Sequence, residues 1–188
     1  LDVIAADAMD IDYASLALPS PARIVANLPY GVATPLLVGW LKTDPWPPWF
    51  DRMVLMFQRE VAERIVAAPG GKDYGRLSVL SQWRTQARIL FTVPAEAFTP
   101  RPKVDSALLE LVPRPEPEPP CDVGSLERVT AAAFGQRRKM LRSALRKLLP
   151  DCEAVLEGLG IDPTSRAEEL PVSAFCRLAN ALRPAPPR

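Results

Sequence analysis

Through its first 112 residues the chain alternates short apolar runs with stretches of helical length. Residues 1–6 (LDVIAA), 23–26 (RIVA), 53–57 (MVLMF), 88–93 (RILFTV) and 107–112 (ALLELV) are rich in Val, Ile, Leu and Phe. Each stops at Asp, Asn, Gln or Pro, the pattern of a buried strand meeting a turn. Residues 31–42, 58–68 and 75–85 read as helices. Pro69-Gly70-Gly71 stops the second of these, and the prolines of TDPWPPW (43–49) hold a loop. Strands alternating with helices predict an α/β fold: a largely parallel sheet covered by helices on both faces. The last two strands flank the loop PAEAFTPRPKVDS, which more easily joins antiparallel neighbours than a parallel crossover, so they are predicted to be antiparallel.

The pattern then changes. PRPEPEPP (113–120) carries five prolines in eight residues, which predicts an extended, semi-rigid linker. Beyond it the apolar positions recur at helical spacing over 123–134, 137–149, 152–159 and 172–182. The expected organisation is a sheet domain over 1–112, a linker over 113–120 and a small all-α domain over 121–188. No internal repeat is visible.

Composition narrows the chemistry. Apolar residues make up 48% of the 188, enough for a real core, and the net charge of +1 dictates no partner. There is no His, which removes Ser-His and Cys-His catalysis and argues against a zinc site; no metal is expected. Cys121, Cys152 and Cys176 are odd in number and lack CxxC spacing, as expected of free thiols in a reducing cytoplasm. No apolar run reaches 18 residues, so no membrane span is expected. The chain opens without Met on what reads as mid-domain strand, so a further N-terminal portion is expected.

Four segments carry candidate chemistry. Asn27-Leu28-Pro29-Tyr30 closes a strand, where open α/β sheets bind ligands. The Asn27 side-chain oxygen and the Leu28 carbonyl could accept both hydrogens of an exocyclic amine on a planar base. Pro29 fixes the corner, and Tyr30 offers a stacking face. Amine hydrogens held this way leave the nitrogen lone pair free to attack, with no general base at that step. A plain strand-to-helix turn explains the tetrapeptide about as well. Asp7, in AADAM, could bind the amino group of an adenine ring; a helix N-cap is the simpler reading. Phe98 precedes the last strand on a stiff loop made basic by Arg101 and Lys103. It either sandwiches a flipped base against Tyr30 or fills the sheet edge.

FGQRRKMLRSALRKLL (134–149) is the fourth segment. Its six basic residues have no acid among them. As a helix it would align Arg138, Arg142 and Arg146, with Lys139 beside them, into a cationic face suited to a phosphate backbone. GGKDYGRLSVLSQ (70–82) is a Gly-rich, basic helix entrance that matches no P-loop.

Taken in order, DAM (7–9), NLPY (27–30), MFQREVAERI (56–65), YGRLSV (74–79), FTPRPKVDSAL (98–108), FGQRRKMLRSAL (134–145) and RAEELPVSAFCRLANAL (166–182) resemble the ribosomal RNA adenine dimethyltransferase family. Within it they are most similar to the bacterial enzymes of the small subunit. The resemblance implies a Rossmann-like methyltransferase sheet, S-adenosylmethionine as methyl donor, and dimethylation of two adjacent adenines near the 3′ end of small-subunit rRNA. It implies Asp7, Ala8 and Asn27 at the cofactor, and Asn27, Leu28, Pro29, Tyr30 and Phe98 around the target base. Arg101, Lys103, Arg138, Lys139, Arg142 and Arg146 would face the RNA of a small-subunit particle, with a monomer as the working unit. The family's glycine-rich cofactor loop and acidic ribose-binding residue precede DAM, and this sequence contains neither. Competing readings are a large-subunit rRNA adenine methyltransferase, a DNA adenine methyltransferase, and a non-catalytic rRNA-binding assembly factor.

Overall fold

The computed structural model describes residues 1–182 apart from 17 and 19, so the end of the expected helical domain, 183–188, lies outside the described residues. Four strands form one sheet in the order β1-β2-β4-β3: β1 (Ala22–Asn27), β2 (Phe50–Gln58), β3 (Thr85–Val93) and β4 (Ser106–Pro113). β1 and β2 are parallel, joined through α1 (Tyr30–Leu41). β4 runs antiparallel to β3, as expected for the last two strands, and also to β2. Only one pair of the sheet is therefore parallel.

The strand alternation shows which face is buried. Ile24, Met53, Leu55, Phe57, Ala107, Leu109 and Leu111 lie inward, in one cluster with Leu37 and Leu41 of α1, Ile65 of α2 (Arg59–Val66) and Val79 and Trp83 of α3 (Arg76–Arg84). The opposite face is open: Val25 is 76% exposed and Phe91 56%. The expectation of helices on both faces is corrected. Polar residues at Arg52, Glu110 and Arg88 share that second face, and no described element packs over it.

The strand expected at residues 1–6 is also corrected. Its backbone is irregular and its side chains are exposed, because no described strand offers it a ladder. Apolar composition alone does not make a strand without a pairing partner.

Beyond β4 the chain forms α4 (Val123–Gly135), α5 (Leu141–Ala144), α6 (Cys152–Gly158) and α7 (Val172–Ala181). The segment between them and β4 is fastened on several sides. Trp46 Nε1 donates to the Arg114 carbonyl (2.7 Å), Trp83 Nε1 to that of Pro119 (3.1 Å), and Asn180 Nδ2 to that of Pro120 (2.8 Å).

The long basic helix expected over 137–149 does not form. α4 ends at Gly135, and Gln136 leaves helical geometry at φ −128°, ψ 49°. Arg137 donates to the Lys72 carbonyl at 2.6 Å, Met140 bridges to Arg166, and the Leu141 N–H donates to the Ser165 carbonyl at 2.8 Å. Tertiary hydrogen bonds have overridden local helix propensity here. Among the described residues no helix is long and apolar enough to cross a membrane.

Candidate functional site

Asn27 ends β1 and pairs in register with Met56 of β2. Pro29, at φ −54° and ψ 134°, turns the chain, and Tyr30 begins α1. A proline fits there because the residue just ahead of a helix's first turn has no partner within the helix for an N–H. Across the sheet, β3 and β4 are joined by a loop whose single helical turn, Ala95–Ala97, leads directly to Phe98. Both ends open on one cavity of about 250 Å³, lined by Asn27, Leu28, Pro29, Tyr30, Phe98, Pro100 and Pro102. Five of its seven lining residues are those expected around a target base. Asn27 is exposed, Leu28 and Phe98 are half-buried, and Tyr30 is 36% exposed, so polar acceptors and aromatic faces are both accessible.

The cavity is held by groups that sequence reasoning did not single out. The Tyr30 hydroxyl lies 2.8 Å from the hydroxyl of Ser106, a fully buried residue at the start of β4. The Asp105 carboxylate accepts the Ala95 N–H at 3.0 Å and so closes the turn before Phe98. Both residues stand inside the FTPRPKVDSAL motif. Their partners, however, sit in other elements, and nothing along the chain marks those pairings.

Asp7 and Ala8 are not brought to this cavity. The Asp7 carboxylate accepts the Met9 N–H at 2.9 Å, closing a local turn, with no helix for it to cap. Ala8 lines a separate cavity of about 310 Å³ with Tyr13, Trp40 and Trp49, where Tyr13 stacks on Trp49 at 5.6 Å. Burial, and then the nearby Asp7 carboxylate, push the Tyr13 phenol above its ordinary pKa. The cavity beside Asn27 thus gathers polar acceptors and aromatic faces. The adenine-binding side of a cofactor is not gathered there among the described residues.

The basic candidates are scattered over the surface. Arg101 is ion-paired with Glu96, and Lys103 is exposed on the same loop as Phe98. Arg138 and Lys139 are exposed in the turn after α4 and form no ion pair among the described residues. Arg142 meets Glu153 of α6 at 3.3 Å, and Arg146 is exposed beyond α5. The acid missing from the local sequence is partly supplied by the fold. No described group of His, Cys, Asp or Glu could hold a metal.

The chain has counterparts among known proteins. The sequence profile of ribosomal RNA adenine dimethylase matches residues 1–183. The chain belongs to the ribosomal RNA adenine dimethylase family. It is 59% identical over 182 residues to the ribosomal RNA small subunit methyltransferase A of Xanthobacter autotrophicus, covering 97% of this chain and 63% of that protein. It thus spans less than two thirds of this curated relative. Among solved structures, a dimethyladenosine transferase from Plasmodium falciparum superposes with a TM-score of 0.74 at 25% identity, over 89% of this chain and 68% of that one. The 23S rRNA methyltransferase ErmE superposes with a TM-score of 0.59 at 24% identity, over 91% of this chain and 69% of that one, a likeness of fold. The dimethylase family fold is a Rossmann-like methyltransferase sheet with helices, so the α/β reading of the sequence holds at the level of fold class.

Proposed function

We propose that the protein carrying this chain transfers methyl groups from S-adenosylmethionine to N6 of two adjacent adenines in a hairpin near the 3′ end of small-subunit rRNA. The observation that carries this reading is the shared cavity of Asn27, Leu28, Tyr30 and Phe98. When bound, the cofactor supplies an electrophilic methyl group. Tyr30 and Phe98 hold the extruded adenine between their faces, as enzymes acting on a base commonly do. The Asn27 side-chain oxygen and the Leu28 carbonyl accept the two amine hydrogens and turn the nitrogen lone pair outward. Once alkylated, that nitrogen is acidic and gives its proton to water, so no His is needed. Asp7 and Ala8 are assigned to the cofactor adenine, an arrangement that requires them to approach Asn27.

In this reading residues 1–112 form the catalytic part, 113–120 the linker and 121–188 the RNA-docking part. Arg101 and Lys103 border the target base. Arg138, Lys139, Arg142 and Arg146 meet phosphates as separate surface cations. The protein works as a monomer in the cytoplasm on RNA of the small-subunit particle, without a metal.

The test is methyl transfer. The whole protein is mixed with labelled S-adenosylmethionine and, in separate reactions, unmodified small or large ribosomal subunits, and the RNA nucleosides are resolved by mass spectrometry. Dimethyladenosine at two neighbouring positions is expected. Transfer only to large-subunit RNA would move the assignment to that acceptor. Binding without transfer would leave a non-catalytic assembly factor.

A further inference from the structure

We propose that the Asp105-Ser106 dipeptide sets the spacing between the two aromatic walls of the cavity, Ser106 by holding Tyr30 and Asp105 by holding the turn that carries Phe98. This rests on the reading above, in which those walls clasp a base.

The walls come from distant parts of the chain, the first residue of α1 and the β3–β4 loop. Tyr30 opens α1 just after the Pro29 corner, and its hydroxyl reaches 76 residues along the chain to Ser106. Ser106 is fully buried, and a buried hydroxyl needs a partner. Tyr30 is the one the structure gives it, at 2.8 Å. The ring is thereby fastened at both ends, so its rotamer freedom is lost on folding and not on meeting a base.

Phe98 is reached through two successive hydrogen bonds. Its N–H donates to the Ala95 carbonyl at 3.3 Å, and the Ala95 N–H donates to the Asp105 carboxylate at 3.0 Å. The dipeptide itself is bonded to both neighbouring strands and α2. Ser106 pairs with Gln58 of β2 and Val93 of β3, and the Asp105 carbonyl accepts the Arg59 N–H at 2.9 Å. Two adjacent residues at the start of a central strand therefore act as positioning residues for both walls.

The test compares Ser106→Ala, Tyr30→Phe and their combination in the whole protein, alongside Asp105→Ala with and without Phe98→Ala. Ser106→Ala and Tyr30→Phe delete the same hydrogen bond. Each is expected to lower kcat about tenfold, the scale of one hydrogen bond, with RNA and cofactor affinities unchanged, and the double variant is expected to match either single one. Asp105→Ala is expected to lower kcat only where Phe98 is present. Full kcat in Ser106→Ala, or an equal further loss when Tyr30 is already Phe, would overturn the proposal.

A second readout is independent of turnover. The chain has three tyrosines, so isotope labelling resolves the Tyr30 ring by NMR. Its order parameter is expected to fall in folded Ser106→Ala, and an unchanged value would also overturn the proposal. Loss of wild-type transfer with a clamped Tyr30 would sink the assigned reaction and leave the clamp standing.

Discussion

Tyr74 meets Phe134 edge to face, with ring centroids 5.9 Å apart and planes at 71°, so the loop entering α3 is locked to the end of α4. Tyr74 is fully buried, and its hydroxyl has no hydrogen-bond partner among the described residues. Burial pushes the phenol well above its ordinary pKa, so it stays neutral. A buried polar group left unpaired costs about 1–3 kcal/mol. Tyr74→Phe keeps the ring and removes that cost. Its thermal midpoint is expected to equal the wild type's or to rise by about 2–4 °C per kcal/mol recovered. Phe134→Ala removes the packing and is expected to cost about 3–5 kcal/mol. Circular dichroism melts of the two variants check both, and a lower midpoint for Tyr74→Phe would mean the hydroxyl is satisfied.

Asp122 caps α4: its carboxylate accepts the Ser125 N–H at 2.7 Å, and that hydrogen bond holds its pKa below the usual carboxylate range. Asp122→Ala is expected to cost about 1 kcal/mol, with a midpoint lower by about 2–4 °C. Asp122→Asn, which can still cap, is expected to lose less. Equal losses would remove the cap from the account.

Glu110 lies on the open face of the sheet between two guanidinium groups. Arg88 Nε donates to it at 2.5 Å, and Arg52 donates to the other oxygen. The Arg88 hydrogen bond, then the charges of both arginines, hold its carboxyl below the ordinary range. A depressed folded pKa means that this carboxylate stabilises the fold above the unfolded value of about 4.3 and loses that effect as pH falls through the lower, folded value. Glu110→Gln is therefore expected to be less stable than wild type at neutral pH, with the gap closing below about pH 4. Melting midpoints measured from pH 3 to 8 check this, and a gap independent of pH would assign the loss to packing.

These cases mark what was legible in the chain. β1, β2 and β4, the three helices over the sheet and α4 are signalled by apolar periodicity and by residues such as Asn27 and the Pro69-Gly70-Gly71 run, which end elements through local chemistry. The five residues expected around a base share one cavity because strand ends converge wherever a sheet is built. What stayed hidden depends on remote partners. Arg137 leaves helical register to bond the Lys72 carbonyl, and Glu153 neutralises Arg142 from another helix. Residues 1–6 read as a strand because their composition is that of a strand, but a ladder needs a neighbour. Ser106 and Asp105 carry no local sign that they serve Tyr30 and Ala95.

Asn27→Ala removes one of the two amine acceptors assigned above. Loss of a preorganised acceptor or donor at a reacting centre typically costs about 10²–10³ in kcat. That loss is expected for methyl transfer, while RNA affinity barely moves because phosphate contacts dominate it. Single-turnover transfer and filter binding separate the two, and surviving transfer would remove Asn27 from the chemistry.

Arg138 and Lys139 project from the turn after α4 without ion pairs among the described residues. The double change to Ala is expected to weaken RNA binding whatever the sequence and to flatten its salt dependence by about one to two units of slope. An unchanged slope in a salt titration would place the RNA elsewhere.

The fastening of the segment after β4 has a spectroscopic side. Two of the four tryptophans, Trp46 and Trp83, spend their indole N–H groups on its carbonyls, and both rings sandwich the Arg84 guanidinium at 4.3 Å. Separating the helical part from the sheet would break those bonds and wet both indoles at once. The molecule therefore contains its own optical gauge of that seam: a red shift in emission ahead of the loss of helical ellipticity would announce that the join opens before either side melts.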